Sequence, residues 1–272
     1  MKKILILLAF AIVCTNAIAQ QPPTIDGLTG EQWFNKNPKK YLERAAELEY
    51  PKAQYQLAQQ KESTDGRAAF NLYQKSAQKG FAPAQCKMGE YYLMGSDYAR
   101  ANTTKAYEWF KKSADQKYAL GEYYYAMCYL DGIGVAPDTI RGMKMLHSAA
   151  EKGVAEAQND LAVCYYFGLK VKQDYQKSAE WIQKAAAQGN LQGMSGLGEC
   201  YYYGRGVKQN YKKAFKLFTK AAEMRAAKFF LGECYYNGNG VKQDRQKALE
   251  YYKQSANEGY QRAITRLQEL KK

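Results

Sequence analysis

Residues 177–210 read KSAEWIQKAAAQGNLQGMSGLGECYYYGRGVKQN, and after one tyrosine residues 212–244 read KKAFKLFTKAAEMRAAKFFLGECYYNGNGVKQD. The two runs share a KAA block, an LGECYY block and a GxGVKQ tail. Self-similarity of this kind has to be read before any residue is given a private role. Working outward, a small residue opens each unit at Ala69, Ala106, Gly142, Ser178, Ala214 and Ala248, at spacings of 37, 36, 36, 36 and 34. A second small position recurs at Ala84, Gly121, Ala157, Gly193, Ala227 and Ala263, and reaches back to Ala53 in a shorter first unit. Seven units follow, at about 36–66, 67–103, 104–138, 139–174, 175–210, 211–244 and 245–272.

Each unit reads as two helices. Asp174 is placed to cap the first, because its carboxylate accepts from free backbone N–H groups of the opening turn. Asp138, Asn210 and Asp244 are its equivalents. Ser178, Trp181, Ile182, Ala185 and Ala186 then fall at i, i+3, i+4, i+7 and i+8, one apolar face at helical period. Gly189 stands where a left-handed C-terminal cap is expected, matched by Gly80, Gly153 and Gly259, while Lys117 and Arg225 depart. The second helix is expected from about Gln192 to Tyr203, with Leu197, Gly198, Cys200 and Tyr201 packed and Gly204 as its stop. Small residues at Ala185, Ala186 and Gly193 let the two helices approach closely. One hairpin cannot bury its apolar face alone, so stacked hairpins supply the core. The expected fold is all-α: a solenoid whose last helix, from Gln261, ends in the charged Glu269, Lys271 and Lys272.

The chain has 272 residues, 46% hydrophobic, with 25 Tyr, 22 Gly, one His and a formal charge of +14. Its start reads as an export signal: Lys2 and Lys3, an apolar run Ile4–Val13 too short to span a bilayer, and Ala17-Ile18-Ala19 before Gln20. Residues 1–19 are therefore assigned as a signal peptide and 20–35 as a lead-in to a repeat region over 36–272. Cleavage takes Lys2 and Lys3 from the formal +14, leaving +12. The rival assignment, a lipoprotein anchored at Cys14, has Val13 where a small residue is wanted. The later chain contains no membrane-length apolar run, so the mature protein is expected to be soluble, periplasmic or secreted. The positive excess favours anionic partners by long-range attraction, or serves as a solvated surface. Export points away from nucleic acid.

The repeat resembles the Sel1-like repeat family, a relative of tetratricopeptide repeats. The resemblance rests on Lys184-Ala185-Ala186 with Gly189, on Leu197-Gly198 with Tyr201, and on Gly204-x-Gly206-Val207, with equivalent loops at Gly132-x-Gly134-Val135 and Gly238-x-Gly240-Val241. Lys170 replaces the second glycine of the fourth unit, and the second unit reads MGSDYARAN. The resemblance covers about 85% of the chain. It implies a right-handed α/α superhelix with an extended concave face, and an adaptor that holds other proteins together. Fold alone does not fix function.

The same periodicity absorbs most residues that suggest chemistry. The GxGV loops follow helices rather than strands, so they read as turns and not phosphate cradles. Cys128, Cys164, Cys200 and Cys234 recur at one position. Neighbouring rungs, one helix-packing distance or roughly 8–10 Å apart, are too distant for a disulfide, whose Cα atoms lie within about 7 Å. Cys86 lies off that ladder. The cysteines read as small buried apolar residues with free thiols. A ladder does not converge on a metal, and no cofactor is implied. Among Sel1-like relatives, the cysteine-rich secreted branch pairs this cysteine with one on the first helix, where Ala149, Ala150, Ala185, Ala186, Ala221 and Ala222 stand here. Some of that branch are described as penicillin binders or weak β-lactamases, which keeps an enzyme as an alternative. The chain shows no Ser-x-x-Lys outside helix ends such as Ser76 to Lys79. His147 is expected at the surface, and Glu122, Glu199 and Glu233 recur with the repeat, so neither marks a catalytic constellation. Trp109 and Trp181 keep the register of Leu72, Met145, Leu217 and Tyr251, as packing residues. In the pairs Tyr165-Tyr166, Tyr201-Tyr202 and Tyr235-Tyr236, the first tyrosine is expected in the core and the second at the surface, as a possible binding anchor.

What varies between units is the outward side of the first helix. The resemblance implies that this helix lines the concave face. Glu108, Lys111, Lys144, His147, Glu180, Gln183, Lys216 and Lys253 are the candidate protein-binding residues on that basis. The expected function is a non-catalytic, exported scaffold that binds a protein or peptide, with an anionic envelope glycan or lipid as the other candidate ligand.

Overall fold

The computed structural model describes residues 22–270. The assigned signal peptide, including Cys14, and the terminal Lys271 and Lys272 lie outside the described residues. A two-residue antiparallel hairpin, Thr24–Ile25 against Leu28–Thr29, opens the described chain. Fifteen helices follow. They are α1 (Gly30–Lys36), α2 (Leu42–Glu47), α3 (Pro51–Lys61), α4 (Gly66–Gln78), α5 (Ala82–Met94), α6 (Thr103–Asp115), α7 (Ala119–Asp131) and α8 (Thr139–Glu151). The rest are α9 (Ala155–Phe167), α10 (Tyr175–Ala187), α11 (Leu191–Tyr203), α12 (Tyr211–Lys220), α13 (Arg225–Asn237), α14 (Arg245–Asn257) and α15 (Gln261–Glu269). Each packs chiefly on its neighbours in the chain, which is the contact pattern of a solenoid.

Local chemistry sets the helix ends. Asp65, Asn102, Asp138, Asp174, Asn210 and Asp244 each accept a backbone N–H from the first turn of an even-numbered helix. Gly132, Gly168, Gly204 and Gly238 close α7, α9, α11 and α13 in the left-handed conformation. The second loop glycine is needed for space as well as for φ. A Cβ on Gly206, at φ +71°, would sit 1.8 Å from the Tyr175 carbonyl oxygen. Lys170, which replaces that glycine in one loop, adopts φ +62° all the same and donates from Nζ to Leu130 O at 3.0 Å.

The small residues anticipated between helices are buried: Ala69, Ala84, Ala106, Ala157, Ala214, Ala227, Ala248 and Ala263 are fully enclosed. A volume match runs through the pairs. From α4 onward, the eighth residue of each even helix is the large core side chain, and it faces the eighth residue of the odd helix before it. Where the large residue is a ring (Phe110, Phe218, Tyr252), the partner is Gly89, Gly198 or Gly232, and a Cβ there would lie 2.4–2.6 Å from the ring. Where it is aliphatic, as at Leu146 and Ile182, Ala126 and Ala162 occupy the facing position. The α3–α4 pair departs, with Tyr73 in the cluster of Ala58 and its hydroxyl donating to Glu62 at 2.7 Å.

The N-terminal end is closed by a separate cluster. Trp33, Phe34, Leu42, Ala45, Leu48 and Ala53 pack together, and Trp33 Nε1 donates to Ile25 O at 3.1 Å. The lead-in thus carries the hairpin and α1, which no periodic signal announced.

Candidate functional site

The odd helices α5, α7, α9, α11 and α13 form one layer and the even helices the other. Backbone contact between alternate helices is most developed within the odd layer, at α5–α7, α9–α11 and α11–α13. In a curved stack the layer with the smaller radius brings its helices closer, so the odd helices line the inside of the curve. They carry the LGxxYxxG block, the second helix of each unit as first read from the sequence.

This arrangement changes the placement of the candidate residues. Glu108, Lys111, Lys144, Glu180, Gln183, Lys216 and Lys253 are exposed, but on the even, outer helices. His147 is half-buried rather than solvated. Its Nε2 lies 3.2 Å from the Tyr165 hydroxyl, and its ring meets Trp181 edge-on at 6.1 Å. At the centre of the stack the concave face is built instead from the second, sixth, ninth and thirteenth residues of α7, α9 and α11, spaced at i, i+4, i+7 and i+11. On α7 these are Leu120, Tyr124, Met127 and Asp131; on α9, Glu156, Asp160, Val163 and Phe167; on α11, Gln192, Gly196, Glu199 and Tyr203. Glu199 and Glu233 share the ninth position, whereas Glu122 sits at the fourth. The signal that could have found this face was present: from α5 to α13 the second, sixth and thirteenth positions differ in every unit, more than their even-helix counterparts do, and only the ninth repeats a residue, Glu90, Glu199 and Glu233.

The tyrosine pairs are ordered the other way from the sequence expectation in two of three cases. Tyr166 and Tyr202 are buried and Tyr165 and Tyr201 are half-buried, while Tyr235 and Tyr236 are both half-buried. The reason is local. Tyr166 and Tyr202 turn into the junction with the next hairpin, where Tyr166 meets Tyr175 at 5.3 Å and Tyr202 meets Tyr211 at 5.3 Å. The first tyrosine of each pair lies under a cation from the following even helix, Lys177 over Tyr165 (5.4 Å), Lys213 over Tyr201 (5.1 Å) and Lys247 over Tyr235 (5.5 Å), as does the equivalent Tyr129 under Arg141 (4.3 Å).

Side chains on the inner face are tied from repeat to repeat. Tyr123 donates to Asp160 at 2.8 Å and Tyr166 to Glu199 at 3.0 Å. The Arg205 guanidinium donates to the Tyr166 hydroxyl and lies over the Tyr203 ring. Arg262 donates to the Tyr203 hydroxyl at 2.8 Å. Burial pushes the Asp160 carboxyl above the usual range, against the opposing pull of its bonds from Tyr123 and Asn159. Between α9 and α11 a cleft opens, lined by Val163, Phe167, Ile182, Gly196, Glu199 and Cys200. Phe167 is 62% exposed, Tyr203 39% and Val163 37%, an apolar group on the inner surface.

The five cysteines of the described residues are free thiols, all buried except the half-buried Cys164. Burial pushes Cys128 and Cys234 to about 12 and Cys200 to about 11, which suppresses the nucleophilic thiolate. Among the described residues, no group of three or more His, Cys, Asp or Glu is gathered as a metal site, and no helix is long and apolar enough to cross a membrane.

A two-layer stack of helical hairpins with a variable inner surface defines an α-solenoid of the binding type. The Sel1 repeat family model matches residues 51–81, 82–118, 119–154, 155–190, 191–225 and 225–260, and the chain belongs to that family. Each matched repeat begins with an odd helix and ends with the even helix after it. The chain is similar to the crystal structure of c5321, a protective antigen of uropathogenic Escherichia coli with an SLR fold, at 30% identity and a TM-score of 0.64, covering 86% of this chain and 53% of that one. It is similar to a Sel1 repeat protein from Oxalobacter formigenes at 26% identity and a TM-score of 0.67, covering 78% and 88%. Chitin synthase regulatory factor 3 of Schizosaccharomyces pombe is 34% identical over 146 residues, which are 49% of this chain and 16% of that protein. Sel1 repeat proteins generally act as protein-interaction scaffolds, and the family is typically non-catalytic.

Proposed function

We propose that this protein is an exported adaptor that holds a protein partner against the inner surface of its odd helices. The observation that carries the reading is the exposed group of Val163, Phe167 and Tyr203 on that surface, where a framework residue would be buried or polar. Exposed aromatics at the centre of a groove are the side chains that most often anchor an interface. Lys2, Lys3, the run Ile4–Val13 and Ala17-Ile18-Ala19 support export, with periplasmic or secreted residence after cleavage before Gln20.

The test is site-specific photocrosslinking in intact cells. A photoreactive phenylalanine at Phe167 or Tyr203 is expected to trap a defined protein, and the same group at Lys144 or Lys216 on the outer helices is not. Adducts from the outer positions alone would overturn the concave-face reading. Mass spectrometry of the exported chain checks the N-terminus, expected at Gln20. A second reading, an anionic glycan or lipid surface bound by the outer layer, is favoured by the even helices, whose Lys and Arg outnumber their Asp and Glu. It predicts membrane or glycan retention that collapses with added salt.

A further inference from the structure

The chain carries a formal +14, yet the inner layer has the opposite sign at its centre. Helices α7, α9 and α11 hold Glu122, Asp131, Glu156, Asp160 and Glu199 and not one Lys or Arg. The neighbouring even helices α6, α8 and α10 each carry more basic than acidic residues. Glu122 is paired with Lys152, and Asp131 lies 3.6 Å from Lys170. Glu156, Asp160 and Glu199 make no ion pair within 4.0 Å among the described residues. Glu156 and Asp160 share one stripe of α9 with Val163 and Phe167, while Glu199 forms a wall of the apolar cleft.

That cleft holds about 90 Å³. Gly196 opens it, since the absent side chain exposes Ile182 beneath. The hydroxyl and carboxylate groups of its lining are already engaged: Tyr166 donates to Glu199 and Ser178 donates to Ala162 O. An aliphatic side chain fits both the volume and the lining. Arg205 and Arg262, at the C-terminal edge of this face, are engaged with Tyr166 and Tyr203, and Lys170, on its other side, is held by Leu130 O and Asp131, so Glu156 and Asp160 have no cation within 4.0 Å among the described residues. Positive charge on a ligand is therefore favoured at the opposite edge, over Glu156 and Asp160.

Building on the adaptor reading above, we infer that the concave face takes a cationic peptide segment that inserts one aliphatic side chain between α9 and α11 and sets a Lys or Arg over Glu156 and Asp160. The net charge of the chain points to acidic partners, and the inner layer reverses that choice. Charge complementarity of this kind selects among partners and sets association rate more than it adds affinity.

The test pans a random twelve-residue display library on the immobilised full chain, then titrates the selected peptides by fluorescence anisotropy. The expected consensus is Leu, Ile or Val flanked by Lys or Arg. Replacing the aliphatic residue by Ser is expected to weaken binding about tenfold or more, from the transfer energy of one buried side chain. Val163→Asp is expected to act similarly, Glu156→Lys to weaken binding about threefold or more, and Lys212→Glu on an outer helix to leave it unchanged. Far-ultraviolet circular dichroism confirms that each variant is folded. Acidic selected peptides, or affinity indifferent to Glu156→Lys, would overturn the inference. Photocrosslinks at Phe167 and Tyr203 together with a non-basic consensus leave the adaptor standing and remove only its cationic specificity. Absence of both removes the adaptor as well.

Discussion

Adding a single methyl group at Gly198 tests the packing rule that builds this solenoid. A Cβ on Gly198 would lie 2.5 Å from Cε1, 2.8 Å from Cδ1 and 3.0 Å from Cζ of Phe218. Carbon atoms pack best at roughly 3.5–4.0 Å, so the ring must retreat by about 1 Å. It has nowhere to go: Phe218 is fully buried and stacked on Phe230 at 4.9 Å and 4°. Because the ring is fully buried and stacked, overpacking here falls in the upper part of the usual range, about 2–3 kcal/mol, against a helix-propensity gain of about 1 kcal/mol for alanine over glycine. Gly198→Ala is expected to lose about 1–2 kcal/mol, or about 3–6 °C in Tm for a chain of this size. Gly196→Ala on the same helix meets only Ile182 Cδ1 and Cγ1 at 3.1 and 3.2 Å, a side-chain tip that can rotate, and is expected to be neutral or stabilising. The decisive variant is Gly198→Ala with Phe218→Leu, which copies the native Ala126–Leu146 pair. Each single change destabilises, and the double variant is expected to recover, giving a coupling energy of about 1–3 kcal/mol. Thermal and urea unfolding by circular dichroism measure all four proteins. A Gly198→Ala protein as stable as wild type, or additive losses in the double variant, would refute the volume match.

Three further outcomes are expected. Gly206→Ala forces a Cβ onto the Tyr175 carbonyl and a left-handed alanine into the loop; it is expected to cost about 2 kcal/mol or more, measured by the same unfolding curves. Native-state alkylation at pH 8 followed by mass spectrometry is expected to modify Cys164 first and to leave Cys128, Cys200 and Cys234 unmodified until denaturant is added; rapid labelling of Cys200 would contradict its burial. A basic peptide selected on the concave face is expected to bind less tightly as pH falls. Protonation removes the negative charge of Asp160, and because burial raises its folded pKa the loss begins above the ordinary aspartate range; Asp160→Asn should flatten that part of the anisotropy profile.

The repeat made most of the fold legible. Helical period, the Asp and Asn caps and the Gly stops are local, and each acts within one or two turns, so a single unit reveals them. The layer facing the curve was not local. Both helices of a unit have exposed positions, and Glu108 or Lys216 looks as available as Phe167 until the stack curves. The tyrosine order had the same cause: Tyr201 and Tyr202 are adjacent in sequence, and only the next hairpin, through Tyr211 and Phe230, decides which is covered.

The sequence by itself determined an all-α solenoid, the helix pairs of its periodic units, its thiols and the framework status of its glycine loops, because these follow from short-range sterics and periodic burial. The tertiary structure decided which helices form the inner surface and brought Glu156, Asp160, Val163, Phe167, Gly196 and Glu199 together there. Those residues come from different repeats, and their juxtaposition depends on how closely α9 and α11 approach in the curved stack. The negative sign of the inner surface at its centre followed from that approach, and it opposes the sign of the whole chain.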